Sequence, residues 1–375
     1  MNPNSADQNN HEYWMAQAIA LAQKGQYTTS PNPNVGCVIV NAGNLCVGKG
    51  AHMKAGDPHA EVHALKDAGK KAKGATAYVT LEPCSHTGKT PPCADALVKA
   101  GVACVVIANN DPNPNVNGNG IRRLEEAGIK VITGVLRDQA KQLNLGFLKR
   151  MATGMPYVRV KLAASLDGKT ALENGESQWI TGPCARRDVQ HLRSKSCAIL
   201  TGSGTVRDDN PSLLVRPEQA QFEDYPEQAI RQPLRVVVEG NTPLSPSAQL
   251  FNDGEATLLV TCNNEAQRGF SDSVSVHHDT NDNAYPCLKS TLAYLAKQEC
   301  NSVLVEAGAT LAGAFIAEGL VDELVVYLAP MVIGHSGAPL VTLPHYEVLA
   351  ETPKLQLKEN QQIGEDIRLT YVFED

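Results

Sequence analysis

The sequence has no excess of basic charge. Its 33 Lys and Arg stand against 40 Asp and Glu, a net charge of −7 with a pI near 5.8. A duplex-binding protein ordinarily carries a basic footprint, so nucleic acid is not an expected partner. No stretch is long and apolar enough to span a membrane. No signal-peptide pattern opens the chain. The ten cysteines follow no framework spacing, which in a chain this large points to reduced thiols and a cytoplasmic setting. No internal repeat is present, and the polar start, Met1–Asn10, expected to fray, is the one biased stretch. What remains is 375 residues of ordinary apolar content, too many for one core and suited to two domains of roughly 150–220 residues.

Two short stretches carry the chemistry of the first half: Pro58–Glu61, PHAE, and Thr80–Cys93, TLEPCSHTGKTPPC. His59, Cys84 and Cys93 are residues of the zinc-ligand type. One His and two thiolates leave a fourth tetrahedral position for water, the open geometry of a catalytic site. Zinc so held lowers the pKa of that water and makes hydroxide available. Glu61 is not needed as a ligand and is the candidate proton shuttle to a leaving amine. His-x-Glu followed by Pro-Cys-x-x-Cys marks zinc deaminases of nucleobases. Here eight residues, SHTGKTPP, separate the cysteines instead of two. Either cysteine alone reads as a buried free thiol; the four residues in this order read as a deaminase site. His63 lies four residues after His59, but no Glu is placed as in a metalloprotease, so His63 is read as packing.

Local patterns support that reading. Ala60–Ala68 has helical apolar spacing and stops at Gly69, placing His59 and Glu61 at a helix start. Ala75–Leu81 reads as a strand ending at Glu-Pro-Cys. Pro91 and Pro92 open a helix that puts Cys93 where the macrodipole favours a thiolate. Helices are also expected over His11–Gln23, Ile121–Ala127 and Val135–Met151. A hairpin joins Cys37–Val40 to Leu45–Val47, and Val102–Ala108 and Ile129–Ile132 are further strands. Alternating elements of this kind form an α/β layer architecture. The first domain is expected over 1–152 and the second over 153–375.

The second half has strands at Tyr157–Ala164, Ser196–Thr201, Leu234–Val238, Ser302–Glu306, Leu324–Leu328 and Ile367–Phe373. Ser165–Lys169 is a turn. Leu213–Arg231 contains an acidic, Pro-bearing piece read as a surface insertion. Glu306–Gly313, EAGATLAG, and Thr201–Thr205, TGSGT, are strand ends running through small residues into helix starts, where backbone N–H groups can meet a phosphate. Neither is a G-x-G-x-x-G, and each also reads as a plain turn. Arg193, Arg207 and Arg216 are candidate phosphate clamps, or else solvated surface arginines. These residues alone leave the second reaction unnamed.

PHAEVHAL, TLEPCSHTGKTPPC, DPNPNVNGNG, KLAASLDGKTA, GESQWITG, DDNPSL, EAGATLAGAF and VDELVVYLAP together resemble the bifunctional riboflavin-biosynthesis deaminase–reductase family, over almost the whole chain. That family's longer cysteine spacing matches the one found here. The resemblance implies a cytidine-deaminase-like three-layer α/β/α domain followed by a dihydrofolate-reductase-like α/β domain. It implies one Zn²⁺ and NADPH as cofactors, a small-molecule pyrimidine ribotide as partner, and a homo-oligomer, most simply a dimer. The first domain would remove the 2-amino group of 2,5-diamino-6-ribosylamino-4(3H)-pyrimidinone 5′-phosphate, and the second would reduce the ribosyl group to ribityl. By position, Asn32, His52, His86 and Lys89 would line the deaminase pocket beside the zinc residues and Glu61. Ser177, Arg193, Leu213, Arg216 and Glu306 would contact the reductase substrate, with Lys161 a weaker candidate beside Asp167. Ala163, Trp179, Thr205, Asp209 and the loop Gly308, Ala309, Thr310, Leu311, Ala312, Gly313 and Ala314 would lie near NADPH. The resemblance assigns no counterpart to Cys184 or to the insertion around Glu218–Gln228, which leaves the boundary of the reductase pocket open.

Two other readings compete. One is a single-function zinc deaminase of another nucleobase, with a second domain that only binds a nucleotide. The other is a zinc-stabilised binding module with a degenerate reductase domain. Glu61 counts against the latter, because a structural zinc site has no use for an uncoordinated proton shuttle.

Overall fold

The computed structural model of the chain describes residues 3–85, 91–114, 116–227, 229–263, 269–280 and 285–374. By packing, the chain divides into two units. One is Met1–Gly154 with Asp224–Ala229, and the other is Met155–Glu223 with Ile230–Asp375.

The first unit runs α1 (Pro3–Ala22), β1 (Gly36–Val40), β2 (Cys46–Ala51), α2 (Ala60–Ala68), β3 (Thr76–Leu81), α3 (Cys93–Ala100), β4 (Cys104–Asn109), α4 (Asn119–Glu126), β5 (Lys130–Thr133), α5 (Arg137–Gln142) and α6 (Leu145–Thr153). Its sheet has the order β2-β1-β3-β4-β5. β1 is antiparallel to β2 and β3, while β3, β4 and β5 run parallel. Both faces are covered, as the continuous apolar runs of β1, β3 and β4 require. Ala60, Ala64, Leu97 and Leu124 pack on one face, and Trp14, Met15, Ala18 and Ala140 on the other. The result is the three-layer α/β/α arrangement expected of a cytidine-deaminase-like domain.

The contact that places the zinc residues is the approach of α2 to β2. A Cβ on Gly50 would lie 2.1 Å from the Ala60 carbonyl oxygen, and one on Gly48 2.3 Å from that of Ala64. Bare backbone on the strand and alanines on the helix let the two main chains touch. The start of α2, with His59 as its N-cap, is thereby fixed against the sheet.

Two expectations for this unit are corrected. The N-terminal helix begins at Pro3 rather than His11, so the polar start is helical. Val135–Met151 is not one helix but two, broken at Asn144. The Asn144 side chain accepts from the Asn34 N–H at 2.7 Å and donates to the Asn34 carbonyl at 2.9 Å. A side-chain amide that competes for backbone partners in this way ends a helix. Part of the expected surface insertion, Asp224–Ala229, groups with the first unit, where Tyr225 stacks on Tyr27 at 5.4 Å between centroids.

The second unit runs β6 (Tyr157–Ser165), β7 (Lys169–Ala171), α7 (Pro183–Lys195), β8 (Ala198–Gly202), α8 (Ser203–Asp209), α9 (Pro217–Ala220), β9 (Leu234–Val238), β10 (Thr257–Thr261), β11 (Val274–His278), α10 (Leu288–Lys297), β12 (Ser302–Glu306), α11 (Ala309–Ala317), β13 (Glu323–Ala329), β14 (Ala338–Pro339), β15 (Leu355–Ile363) and β16 (Asp366–Phe373). The main sheet has the order β11-β10-β9-β8-β12-β6-β13-β16-β15. Strands β11 through β13 are parallel, and β16 and β15 close the sheet antiparallel. Leu292, Leu295, Phe315 and Ile316 of α10 and α11 fill the core on one face. Ala185 and Val189 of α7 cover β13 on the other. Sequence reading leaves α7 and β15 unassigned. The apolar stripe of α7 is narrow amid its charges, and β15 is exposed at nearly every position. Pairing with β16, not an apolar pattern, makes β15 a strand.

Gly50→Ala is expected to push α2 off the sheet, at a cost of about 1–3 kcal/mol typical of overpacking. Urea unfolding should show that loss, and the purified variant should hold less zinc than the parent, because the helix start that carries His59 has moved.

Candidate active sites

The first site is built where two helix starts meet a strand end. His59 caps α2, Cys93 is the first residue of α3, and Cys84 follows β3. Their ligand atoms all lie within 4.8 Å of one another. His59 Nδ1 is 3.3 Å from Cys93 Sγ and 3.6 Å from Cys84 Sγ. A tetrahedral zinc with Zn–S near 2.3 Å and Zn–N near 2.0 Å separates such atoms by about 3.5 Å, so the donor set fits that ion. The Cys93 N–H, at the start of its helix, donates to Cys84 Sγ at 3.3 Å. A hydrogen bond between the Cys84 and Cys93 side chains, aided by His59 against the effect of burial, pulls the Cys84 thiol down to about 4. The same bond and burial push Cys93 up. The pair thus favours a thiolate at Cys84, and a bound cation favours both thiolates.

Glu61, in the first turn of α2, is 3% exposed, and among the described residues its Oε2 has no hydrogen-bond partner. Burial pushes its carboxyl up to about 7, although His59 opposes the shift. A buried carboxyl poised near neutrality beside an open metal position suits proton transfer.

His52 and Asn32 adjoin this site. The His52 ring meets His59 edge-on at 5.3 Å and is 2% exposed. Its Nδ1 lies 3.2 Å from the Pro58 carbonyl and its Nε2 3.1 Å from Asn32 Nδ2. The carbonyl can only accept, so Nδ1 carries the proton and Nε2 accepts from the Asn32 amide. Burial lowers the His52 pKa, in keeping with a neutral ring. His52 therefore orients Asn32 rather than offering a free nitrogen. His86 and Lys89 lie outside the described residues.

Sequence reading missed Glu82. It is 4% exposed, and its carboxylate accepts from the N–H groups of Asp111, Gly118, Gly120 and Ile121. It hangs the 111–121 loop on the residue two before Cys84. The adjacent Pro-Cys drew all the attention in sequence, and no local pattern says what a buried Glu binds.

The second site is a cleft of 1060 Å³ at the carboxyl ends of β6, β8, β9 and β12, the customary place for a ligand on a parallel sheet. Glu306 ends β12 directly opposite Lys161 on β6. Arg193 reaches in from α7. Its Nε donates to Glu306 Oε1 at 2.6 Å, its Nη2 to Oε2 at 3.0 Å, and its Nη1 to the Leu214 carbonyl at 2.9 Å. Burial alone pushes the Glu306 carboxyl up; the Arg193 guanidinium and the Lys161 ammonium overcome this and hold it below its usual range. Burial lowers the Lys161 pKa. Leu213 is 4% exposed with φ of +56°, a conformation uncommon for a bulky residue.

Of the residues expected here, Lys161, Ala163, Ser177, Arg193, Thr205, Asp209, Leu213, Glu306, Gly308, Ala309, Thr310, Leu311 and Ala314 line the cleft. Ala312 and Gly313 do not. Ala312 is in the core, and a Cβ on Gly313 would lie 1.9 Å from the Thr342 carbonyl oxygen. Trp179 is 64% exposed under the Arg186 guanidinium, 4.5 Å from it. Arg216 is exposed, donates from its backbone N–H to Gln190 Oε1 and turns its Nη2 to Ser212. Neither Trp179 nor Arg216 reaches the lining. Gly204 and Gly308 do line it, and a Cβ on either would meet nothing within 4 Å. The space this leaves above two strand–turn–helix starts fits a dinucleotide phosphate.

Two family models match the chain. The cytidine and deoxycytidylate deaminase zinc-binding region matches residues 8–109, and the RibD C-terminal domain matches residues 156–369. The riboflavin biosynthesis protein RibD of Escherichia coli (strain K12) is 52% identical over 366 residues, covering 96% of this chain and 99% of that protein. That of Haemophilus influenzae is 49% identical over 362 residues, with 96% of each covered. Among solved structures, Acinetobacter baumannii RibD (form 1) superposes with a TM-score of 0.90 at 45% identity, covering 98% of this chain and 100% of that one. A diaminohydroxyphosphoribosylaminopyrimidine deaminase/5-amino-6-(5-phosphoribosylamino)uracil reductase from Thermotoga maritima superposes at 0.86, with 32% identity and the same coverage.

The Glu306 carboxyl, depressed in the folded chain, contributes stability that is full above its unfolded value, near 4.3, and is lost as the pH falls through the folded value. Glu306→Gln should therefore lower stability at pH 7 and flatten its decline below about pH 4.3, as followed by urea unfolding across an acid series.

Proposed function

The chain belongs to the bifunctional riboflavin-biosynthesis deaminase–reductase family, and on that premise we propose which of its residues carry each reaction. It is a bifunctional enzyme, a zinc-dependent deaminase followed by an NADPH-dependent reductase. The reactions we assign are those in the name of the Thermotoga relative. The 2-amino group of 2,5-diamino-6-ribosylamino-4(3H)-pyrimidinone 5′-phosphate leaves as ammonia and water supplies the new carbonyl oxygen. The ribosyl group of that product is then reduced to ribityl.

For the first step, His59, Cys84 and Cys93 hold the zinc, which supplies a Lewis acid that brings water toward ionisation near neutral pH. Glu61 accepts a proton from the attacking water and delivers it to the departing amine. Asn32, fixed by His52, orients the pyrimidine. The convergence of three ligand atoms beside a buried carboxyl, one of whose oxygens has no partner among the described residues, is the observation that carries this assignment.

For the second step, Lys161 and Glu306, side by side on β6 and β12, would face the ribosyl group, with Arg193 holding the Glu306 carboxylate ionised. The loop Gly308–Leu311 takes the cofactor phosphates, and Ala163, Thr205 and Asp209 line the cofactor's path. NADPH supplies the hydride; the protein supplies orientation and electrostatics.

We also infer a homodimer working in the cytoplasm. β15 ends the main sheet, and among the described residues its outer edge pairs with no strand; it bears Leu355 and Leu357, 39% and 46% exposed, the kind of edge that pairs with a second chain. Among the described residues no helix is long and apolar enough to cross a membrane. Light scattering should give twice the 40.1 kDa chain mass, and Leu357→Lys should reduce that to one chain; a dimer untouched by this change lies elsewhere.

The coupled assay follows ammonia release and NADPH oxidation separately on the purified chain. Both signals are expected, with NADPH loss dependent on prior deamination. Glu61→Gln should retain one zinc per chain and lose deamination by about a hundredfold or more. Deamination at the parent rate would remove Glu61 from the mechanism, and ammonia without NADPH loss would reduce the second unit to a binding domain.

A further inference from the structure

We propose that Arg207 binds the 2′-phosphate of the reductase cofactor and Tyr285 stacks on its adenine, so that this end of the cleft selects NADPH over NADH. The inference rests on the reading of the cleft as a nicotinamide dinucleotide site.

The sheet order sets the direction of the cofactor. Lys161 and Glu306 mark the reacting end, on β6 and β12. Gly240 and Tyr285, which also line the cleft, lie beyond the end of β9. From β6 the order is β12, β8, β9, three strand spacings or about 14 Å. A dinucleotide laid along the strand ends with its nicotinamide over β6 and β12 therefore brings its adenosine to β9.

The chemistry at that end suits an adenosine 2′-phosphate. Among the described residues, the cations lining the cleft are Lys161, Arg193 and Arg207. The first two belong to Glu306. Arg207, on α8, leans on the loop after β9, where its Nη1 donates to the neutral Thr242 carbonyl at 3.3 Å. Among the described residues no carboxylate is ion-paired with it. A guanidinium held by one long bond to a carbonyl keeps its charge and most of its fork for a phosphate, which it can grip in bidentate fashion. NADH has a hydroxyl at that position and offers it no charge.

Tyr285 supplies the aromatic surface. Its ring lies directly on Gly240, where a Cβ would come within 2.8 Å of Cε1, yet the side chain remains 62% exposed. One face of the ring is seated on bare backbone, and the residue lines the cleft. The Gly240 N–H is tied to Ser203 Oγ at 3.4 Å, which joins the floor under the ring to the start of α8. A planar base stacks well on such a ring.

Calorimetric titration of the full-length, zinc-loaded chain with NADPH, NADH and 2′,5′-ADP tests this. The parent should prefer NADPH to NADH and should bind 2′,5′-ADP. Arg207→Gln should weaken NADPH and 2′,5′-ADP by about ten- to a hundredfold, the span of a hydrogen-bonded charge, and leave NADH affinity where it was. Arg207→Lys should recover part of the loss. Tyr285→Ala should weaken all three ligands, since all carry adenine. Arg207→Gln that weakens NADPH and NADH equally, or weakens neither, overturns the assignment while leaving the reductase reading in place. A parent chain that binds neither dinucleotide takes down both.

Discussion

The deaminase half depends on two main chains lying in contact. Gly48 and Gly50 strip β2 of side chains where α2 crosses it, and Ala60 and Ala64 answer from the helix. A zinc site of this kind tolerates little displacement, because a misplaced ligand breaks the tetrahedron. Backbone-on-backbone packing is the stiffest support available, since no side-chain rotamer intervenes. His59 and Glu61 inherit that stiffness from the helix start. Cys93 inherits it from α3, and Cys84 from the end of β3. Glu82 extends the same frame by gathering four backbone N–H groups from the 111–121 loop. A carboxylate so surrounded holds a loop through hydrogen bonds to a charged acceptor, which are stronger than neutral ones.

The reductase half solves a different problem. Its ligands are large and anionic, and its chain is acidic overall. It meets them at the carboxyl ends of parallel strands, where loops and helix starts present N–H groups. Positive charge is used sparingly. Arg193 and Lys161 are spent on keeping Glu306 ionised in a place where burial alone would protonate it. Breaking that pair would leave an uncompensated charge, which costs more than the pair itself contributes. Arg207 stands apart from this cluster, one strand end after another along the cleft, and its separation is what makes it available to a different anion.

The clustering of the zinc-type residues was legible because they are few, chemically distinctive and placed at helix and strand ends that the local pattern also marks. The same clarity did not extend to the residues around it. The sequence placed His52 in the deaminase pocket, and the fold alone showed that its ring nitrogens meet Pro58 and Asn32. Ala312 and Gly313 belonged to a loop matched as a unit, yet on a helix only part of such a run can face a ligand; these two face the core and Thr342. The break at Asn144 was invisible, because its partner, Asn34, is 110 residues away.

By itself the sequence determined the two α/β halves and the family, and it singled out the zinc-type residues and the proposed proton shuttle, all of which rest on local spacing or on motifs readable residue by residue. It also flagged Arg207 as a cation near a phosphate-type turn, without saying what it was for. Tertiary structure alone decided which side chains of a matched segment face the cleft, what a buried Glu82 or Glu306 is paired with, and the placement of Tyr285 on Gly240. These are contacts between residues tens of positions apart. The physical reason is that a periodic pattern reports how a chain coils or extends, whereas the partner of a charge or a ring is set by which strands become neighbours in the sheet.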